Sequence, residues 1–188
     1  MNEDDEFGAL ERQGDLSILR YRRRLAHAPE KVWRVVSELD QQAGWFPTTM
    51  EGERVAGAPL HFGFREHEGE PFDGVMLAFD PPSVMALRWA DDILRFELHP
   101  DGAGCVLELT VTFPDYGKAA RDAAGWHVCL EQLDHVVDGT ELPWDPPDRW
   151  RTVHGGYVAR LGPEASRIGP PAEWEAAHGP ADQELDLG

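Results

Sequence analysis

The order of periodicities along this chain restricts its fold more than any other feature: a short helical pattern, a long run of alternating segments, then one long helical pattern. The short pattern opens at Ala28-Pro29-Glu30-Lys31-Val32-Trp33, where Pro29 lacks the N–H that a helix start leaves unpaired and already holds a helical φ. A helix is predicted over residues 29–38, turning Val32, Val36 and Leu39 toward the core, with a second short helix over 41–45 that Trp45-Phe46-Pro47 ends. The long pattern covers residues 118–137 and carries Trp126, Leu130, Leu133 and Val137 on one stripe, with Gly139 as its C-cap. Strands are predicted over residues 16–26, 59–65, 72–79, 84–90, 93–99 and 105–113, separated by turns such as Asp80-Pro81-Pro82-Ser83 and Asp101-Gly102. Short turns imply antiparallel neighbours. The fold class is therefore α+β: a curved antiparallel sheet wrapped around a long C-terminal helix, with two short helices after the first strand.

Side-chain parity assigns the faces. Leu60, Phe62 and Phe64 alternate with His61, Gly63 and Arg65, while Leu107, Leu109, Val111 and Phe113 alternate with Val106, Glu108, Thr110 and Thr112. Trp45, Phe62, Phe64, Trp89, Phe96 and Trp126 belong to separate elements, and their rings converge if the sheet curls round the long helix. With Leu130 they are the candidate lining of an apolar ligand cavity; plain core packing of the same rings is the other reading. Arg65, Arg88 and Arg95 are read as surface or rim residues. Gly125, inside the long helix, costs about 1 kcal/mol relative to alanine. It either admits close approach of a strand or ligand, or joins a frayed first turn to the main helix.

Other chemistries find little support. His127, Glu131 and His135 recur every four residues, but each step turns about 40° round a helix, so one metal could reach two of them and hardly three. They are read as a solvated polar face beside the Trp126 stripe. His61 and His67 lack an HExxH spacing, and there is no phosphate loop, nucleophile elbow or dinucleotide fingerprint. Ser17, Ser37, Ser83 and Ser166 have no histidine and acid placed by a local signature. No catalytic residue, metal ligand or cofactor is assigned. Cys105 and Cys129 sit among apolar neighbours in no metal-like spacing and are read as buried free thiols.

Charge narrows the partners. The chain has a formal net charge of −18 over 188 residues, and residues 1–15 and 162–188 each hold six acids and one base. Both ends are expected to be disordered acidic tails, leaving residues 16–161 as one domain. That domain includes a trailing short helix with Trp144, Trp150, Val153, Tyr157 and Leu161, whose Arg149-Trp150-Arg151 forms an exposed turn. The only basic run, Arg20, Arg22, Arg23 and Arg24, is too small for a nucleic-acid face. No apolar run approaches a membrane span, and the acidic start is unlike a secretory signal, which places the protein in the cytoplasm.

The helix start at Ala28–Trp33, the Trp45-Phe46-Pro47 step, Gly74-Val75 leading to Pro81-Pro82 and Trp89, and Gly125-Trp126 through Leu133 together resemble the START-like, helix-grip superfamily (SRPBCC). Within it the chain is similar to bacterial proteins resembling the C-terminal domain of the activator of heat-shock-protein-ninety ATPase. The resemblance spans about residues 16–139, with 150–161 similar to the family's trailing helix. It implies a helix-grip fold whose cavity binds a lipid, hormone, polyketide or aromatic compound, and it implies no shared catalytic residue. The eukaryotic activator has an additional N-terminal domain that engages the chaperone, for which this short chain has no room, so a chaperone partner stands only as an alternative.

Three readings follow. The favoured one is a binding protein that holds a small hydrophobic or aromatic molecule between sheet and long helix. The alternative is an enzyme of the polyketide cyclase or dehydratase type, acting on an aromatic substrate with His127 or Glu131 as acid or base. The third is a chaperone regulator or other interaction module using the outer sheet face or a patch at Trp144, Trp150 and Tyr157. Pairing of strand edges leaves a homodimer open.

Overall fold

In the computed structural model, which describes residues 7–64 and 69–180, the predicted alternation becomes an antiparallel sheet. Its strands are β1 (Ala9–Gln13), β2 (Leu16–Leu25), β3 (Thr48–Glu51), β4 (Pro59–Phe64), β5 (Phe72–Asp80), β6 (Val84–Trp89), β7 (Asp92–Asp101) and β8 (Gly104–Phe113). Their order across the sheet is β1-β2-β8-β7-β6-β5-β4-β3, so the meander from β3 to β8 is closed by β2, with Ser17 opposite Phe113 and Leu25 opposite Cys105. The turns are tight where parity demanded it. Asp101 and Gly104 pair across Gly102-Ala103, Gly102 taking a φ of 62° at no steric cost. One irregularity interrupts the β5–β6 register between Met76 and Ala78, leaving Leu77 exposed.

The helices are α1 (Pro29–Ser37), α2 (Leu39–Gln42), α3 (Ala119–Asp138), α4 (Pro146–Leu161) and α5 (Ala172–His178), and among the described residues none is long and apolar enough to cross a membrane. Trp126, Leu130, Leu133 and Val137 on α3 are all buried, as the stripe required. They meet a sheet face made of Leu19, Leu87, Leu94, Phe96, Leu109 and Val111. The start of α3 is pinned to the sheet by a buried ion pair: Lys118 Nζ lies 2.7 Å from Asp92 Oδ1 and 3.2 Å from Asp122 Oδ2. At its other end Gly139 is left-handed, with a φ of 69°. The result is an α+β helix-grip fold.

Several expectations need correction. Leu39 is 59% exposed, because α1 ends at Ser37 and the extended backbone of Glu38 starts α2 in a new direction. β3 and β1 are strands that the periodicity did not show. β1 lies where an acidic tail was expected, pairing Ala9–Gln13 with Leu16–Arg20 through Gly14, whose φ is 61°. At the other end, a 3-10 turn over Pro163–Ser166 buries Ala165, and α5 follows inside the stretch read as tail. The trailing helix is α4, 16 residues long, and its Arg149-Trp150-Arg151 turn faces the domain: the Arg151 side chain is only 8% exposed.

Candidate functional site

The rings singled out in the sequence form a continuous series between sheet and α3. Trp45 meets Phe96 at 5.8 Å between centroids and Phe46 at 5.3 Å; Phe46 meets Trp126 at 5.8 Å. Trp126 then touches Trp89 at 5.6 Å, Trp89 touches Phe72 at 5.4 Å, and Phe72 lies against both Phe62 and Phe64. These spacings are those of favourable edge and offset ring contacts. Trp45, Phe62, Phe96, Trp126 and Leu130 are buried, whereas Phe64, Phe72 and Trp89 are half-buried. The series thus runs from the core to a half-exposed aromatic end. Phe46 and Phe72 complete it and were missed, Phe46 because it sits in a loop without periodicity. Polar groups hold the indoles in place: Trp45 Nε1 donates to the Val35 carbonyl at 2.9 Å and Trp89 Nε1 to Thr48 Oγ1 at 3.2 Å.

Gly125 settles one open question. A methyl group built on it would meet nothing within 4 Å, so the glycine does not mark a strand pressed against α3. The position is half-buried and open around its Cα, one residue before Trp126. Of the arginines, Arg88 is exposed and Arg95 pairs with Glu97 at 2.9 Å; Arg65 and His67 lie outside the described residues. His61 is on the outer face with Asp73, at 2.9 Å.

The polar face of α3 is the larger correction. His127 is 1% exposed and sits in a buried hydrogen-bond network, because α4 and the segment before β1 cover it. Its Nε2 is 3.3 Å from Glu131 Oε1 and its Nδ1 3.3 Å from Tyr157 Oη. Arg149 clamps Glu131 with two bonds, at 2.5 and 2.8 Å. Tyr157 Oη accepts from the Gly8 N–H at 2.8 Å and lies 3.0 Å from Tyr21 Oη, which donates to the Ala123 carbonyl at 2.5 Å. Phe7 caps the set edge-on to His127 and Tyr157, with Arg160 over its ring. Burial pushes the phenols of Tyr21 and Tyr157 up. Burial also works to raise Glu131, but the hydrogen bonds from Arg149 and His127 outweigh it and hold the carboxyl at about 2. His135 stands apart, bonded to Thr140.

Proton counting defines what this network can do. Tyr21 spends its proton on Ala123, so Tyr157 has one proton for two partners, Tyr21 Oη and His127 Nδ1. With a neutral ring whose Nε2–H faces Glu131, that proton goes to Nδ1 and nothing lies between the two phenol oxygens. With both ring nitrogens protonated, every contact in the set is a hydrogen bond. The network ties β2, α3, α4 and the N-terminal segment together. Its members are spent on one another and walled in by Phe7, which makes it a structural joint.

Asp134, two turns after His127 on α3, is a buried carboxyl whose Oδ1 has no hydrogen-bond partner. Burial raises it to about 6, against the opposing charge of Arg23. Of the C-terminal tryptophans, Trp150 stacks on His154 at 4.5 Å and meets Trp174 of α5 at 4.8 Å, and Trp144 lies edge-on to His135. Tyr157 is 1% exposed, so the three rings do not make an open patch.

Comparison with known proteins decides the family. Residues 26–138 match the family described as activator of Hsp90 ATPase homolog 1-like protein. The chain belongs to this family. Among solved structures, a conserved protein of unknown function from Enterococcus faecalis superposes with a TM-score of 0.68 at 19% identity, covering 82% of this chain and 90% of that one. CalU16 from Micromonospora echinospora gives 0.65 at 18% identity, covering 81% and 95%. A protein from Bordetella parapertussis gives 0.63 at 26% identity, covering 77% and 86%. No curated protein is significantly similar in sequence. The matched region of this member of the Hsp90-activator-like family contains the aromatic series whole. It leaves out the segment before β1 and α4, which supply Phe7, Arg149 and Tyr157 to the His127 network.

Proposed function

We infer that this protein binds a small hydrophobic or aromatic molecule at the half-exposed end of the aromatic series, between β4–β6 and α3. The observation that carries the reading is the graded exposure of touching rings, from buried Phe62 and Trp126 to half-buried Phe64, Phe72 and Trp89. A flat apolar ligand would stack on those rings and bury apolar area at about 25 cal/mol per Å². The inner rings form the floor on which Trp126 and Trp89 pack.

The first test is native purification followed by denaturing extraction and mass spectrometry. A stoichiometric compound with an apolar or aromatic skeleton supports the reading and names the ligand class. An empty protein with no thermal shift across a panel of hydrophobic metabolites overturns it. Gly125→Leu provides the site-specific control. The substituted side chain has room, and the helix gains stability from losing a glycine, about 0.5–1 kcal/mol. The variant is expected to fold at least as stably as the parent and to lose the ligand; retained binding would move the site elsewhere.

A further inference from the structure

Lys118 stands where helix chemistry disfavours a lysine. It is the N-cap of α3, its side chain caps no backbone N–H, and a cation at a helix N-terminus opposes the macrodipole. What it reaches accounts for its place. Lys118 Nζ donates to both carboxylate oxygens of Asp92, at 2.7 and 2.8 Å, lies 3.2 Å from Asp122 Oδ2, and sits over the Phe113 ring. Asp92 is 2% exposed. A buried ion pair adds little net stability over well-packed apolar residues, so what distinguishes this one is the geometry it imposes.

The elements it joins carry two tryptophans of the aromatic series. Asp92 pairs with Trp89 across the two-residue turn Ala90-Asp91, and Asp122 lies one helical turn before Trp126 on α3. The two indoles meet at 5.6 Å between centroids and 69° between planes. A flat ring stacked on one of them meets the other edge to face, an arrangement that a globular group cannot make. The turn between Trp89 and Asp92 is strained, with Ala90 at a φ of 55°. Such strain persists where the surroundings over-determine the backbone, and it gathers at ligand clamps. Lys118 supplies that constraint from the α3 side: with Asp92 tied to the start of α3, the turn cannot relax and Trp89 cannot swing away from Trp126.

We propose that Lys118 is a positioning residue of the aromatic binding end, which through Asp92 and Asp122 sets the spacing and angle of Trp89 against Trp126 and so selects flat aromatic ligands over globular apolar ones. This rests on the reading of that end as the ligand site.

The test starts with the ligand-free full chain and then adds two probes, pyrene as a flat ring system and adamantane as a globular one. Neighbouring indoles couple and give a couplet in far-ultraviolet circular dichroism. Trp89→Phe identifies the share that belongs to Trp89 and Trp126, because Trp150 and Trp174, at 4.8 Å, give a couplet of their own. Lys118→Met is expected to lose that share, and Lys118→Arg, which can still bridge two carboxylates, to keep it. Since Lys118→Met leaves Asp92 buried without a counter-charge, a double variant with Lys118→Met and Asp92→Asn is measured beside it; Asp122 retains Arg121 at 2.6 Å. The double variant is expected to match the parent in thermal stability and still lack the couplet. Both lysine-free variants are expected to bind pyrene about two- to tenfold more weakly, the value of one ring contact, with adamantane unchanged. A couplet that survives in the double variant overturns the positioning role, and so does a couplet lost only in step with thermal stability. Equal weakening of both probes overturns the selectivity. A parent chain that binds neither probe overturns the ligand reading itself, which the couplet, measured without ligand, keeps apart from a failure of Lys118.

Discussion

Ala90 carries the clearest local cost in the chain. It sits with Asp91 in the two-residue turn between Trp89 and Asp92 and has a φ of 55°, the only non-glycine at positive φ among the described residues. An L side chain pays for that conformation through the clash of Cβ with the backbone. Ala90→Gly is expected to raise stability by about 0.5–1 kcal/mol in urea denaturation, after the flexibility that glycine adds to the unfolded chain is set against the strain released. Asp134 carries a cost of another kind. Its carboxyl is raised to about 6, so the native state holds a proton that the unfolded state has released, and stability falls as pH rises from about 4 to 6. Asp134→Asn is expected to be more stable than the parent by about 2 kcal/mol at pH 7, with the difference gone below pH 4. A flat difference across that range in chemical denaturation would show that Asp134 is charged in both states.

The element that sequence periodicity misjudged is α4, and with it one face of α3. Helical spacing placed His127, Glu131 and His135 on a common side, but spacing alone does not say what packs there. The clue lay in a second set with the same step: Arg149, Val153 and Tyr157 form a matching stripe, so that Arg149 meets Glu131 and Tyr157 meets His127. Glu131 is held at about 2, below its ordinary 4.5, so this joint stabilises the fold above that ordinary value and its contribution fades as pH falls toward 2. Glu131→Gln is expected to cost about 1–2 kcal/mol at pH 7 and progressively less in acid, which acid unfolding followed by circular dichroism would show. Tyr157→Phe removes the acceptor of the Gly8 N–H and a partner of both Tyr21 and His127, and is expected to cost about 1–3 kcal/mol. Faster hydrogen exchange in α4 would locate that loss.

At the scale of the whole molecule, the sheet and α3 were legible because the inner face of β4, the inner face of β8 and the Trp126 stripe all serve a single core. The convergence of Trp45, Phe62, Phe96 and Trp126 follows from the same geometry. What escaped the sequence was structure made by pairing alone. β1 has the polar sequence Ala-Leu-Glu-Arg-Gln, and its strand character comes from β2 through the Gly14-Asp15 turn, a two-residue hairpin signal hidden in an acid-rich stretch. β3 is four residues long, too short for alternation to register. The sheet order also has a consequence for synthesis. Because β2 borders β8, the ribosome releases β2 long before its neighbour exists, and hairpins β3 to β7 can zip locally while that early strand waits. Only when residues 104–113 emerge can the two halves join, and only then does α3 acquire the surface it is gripped by.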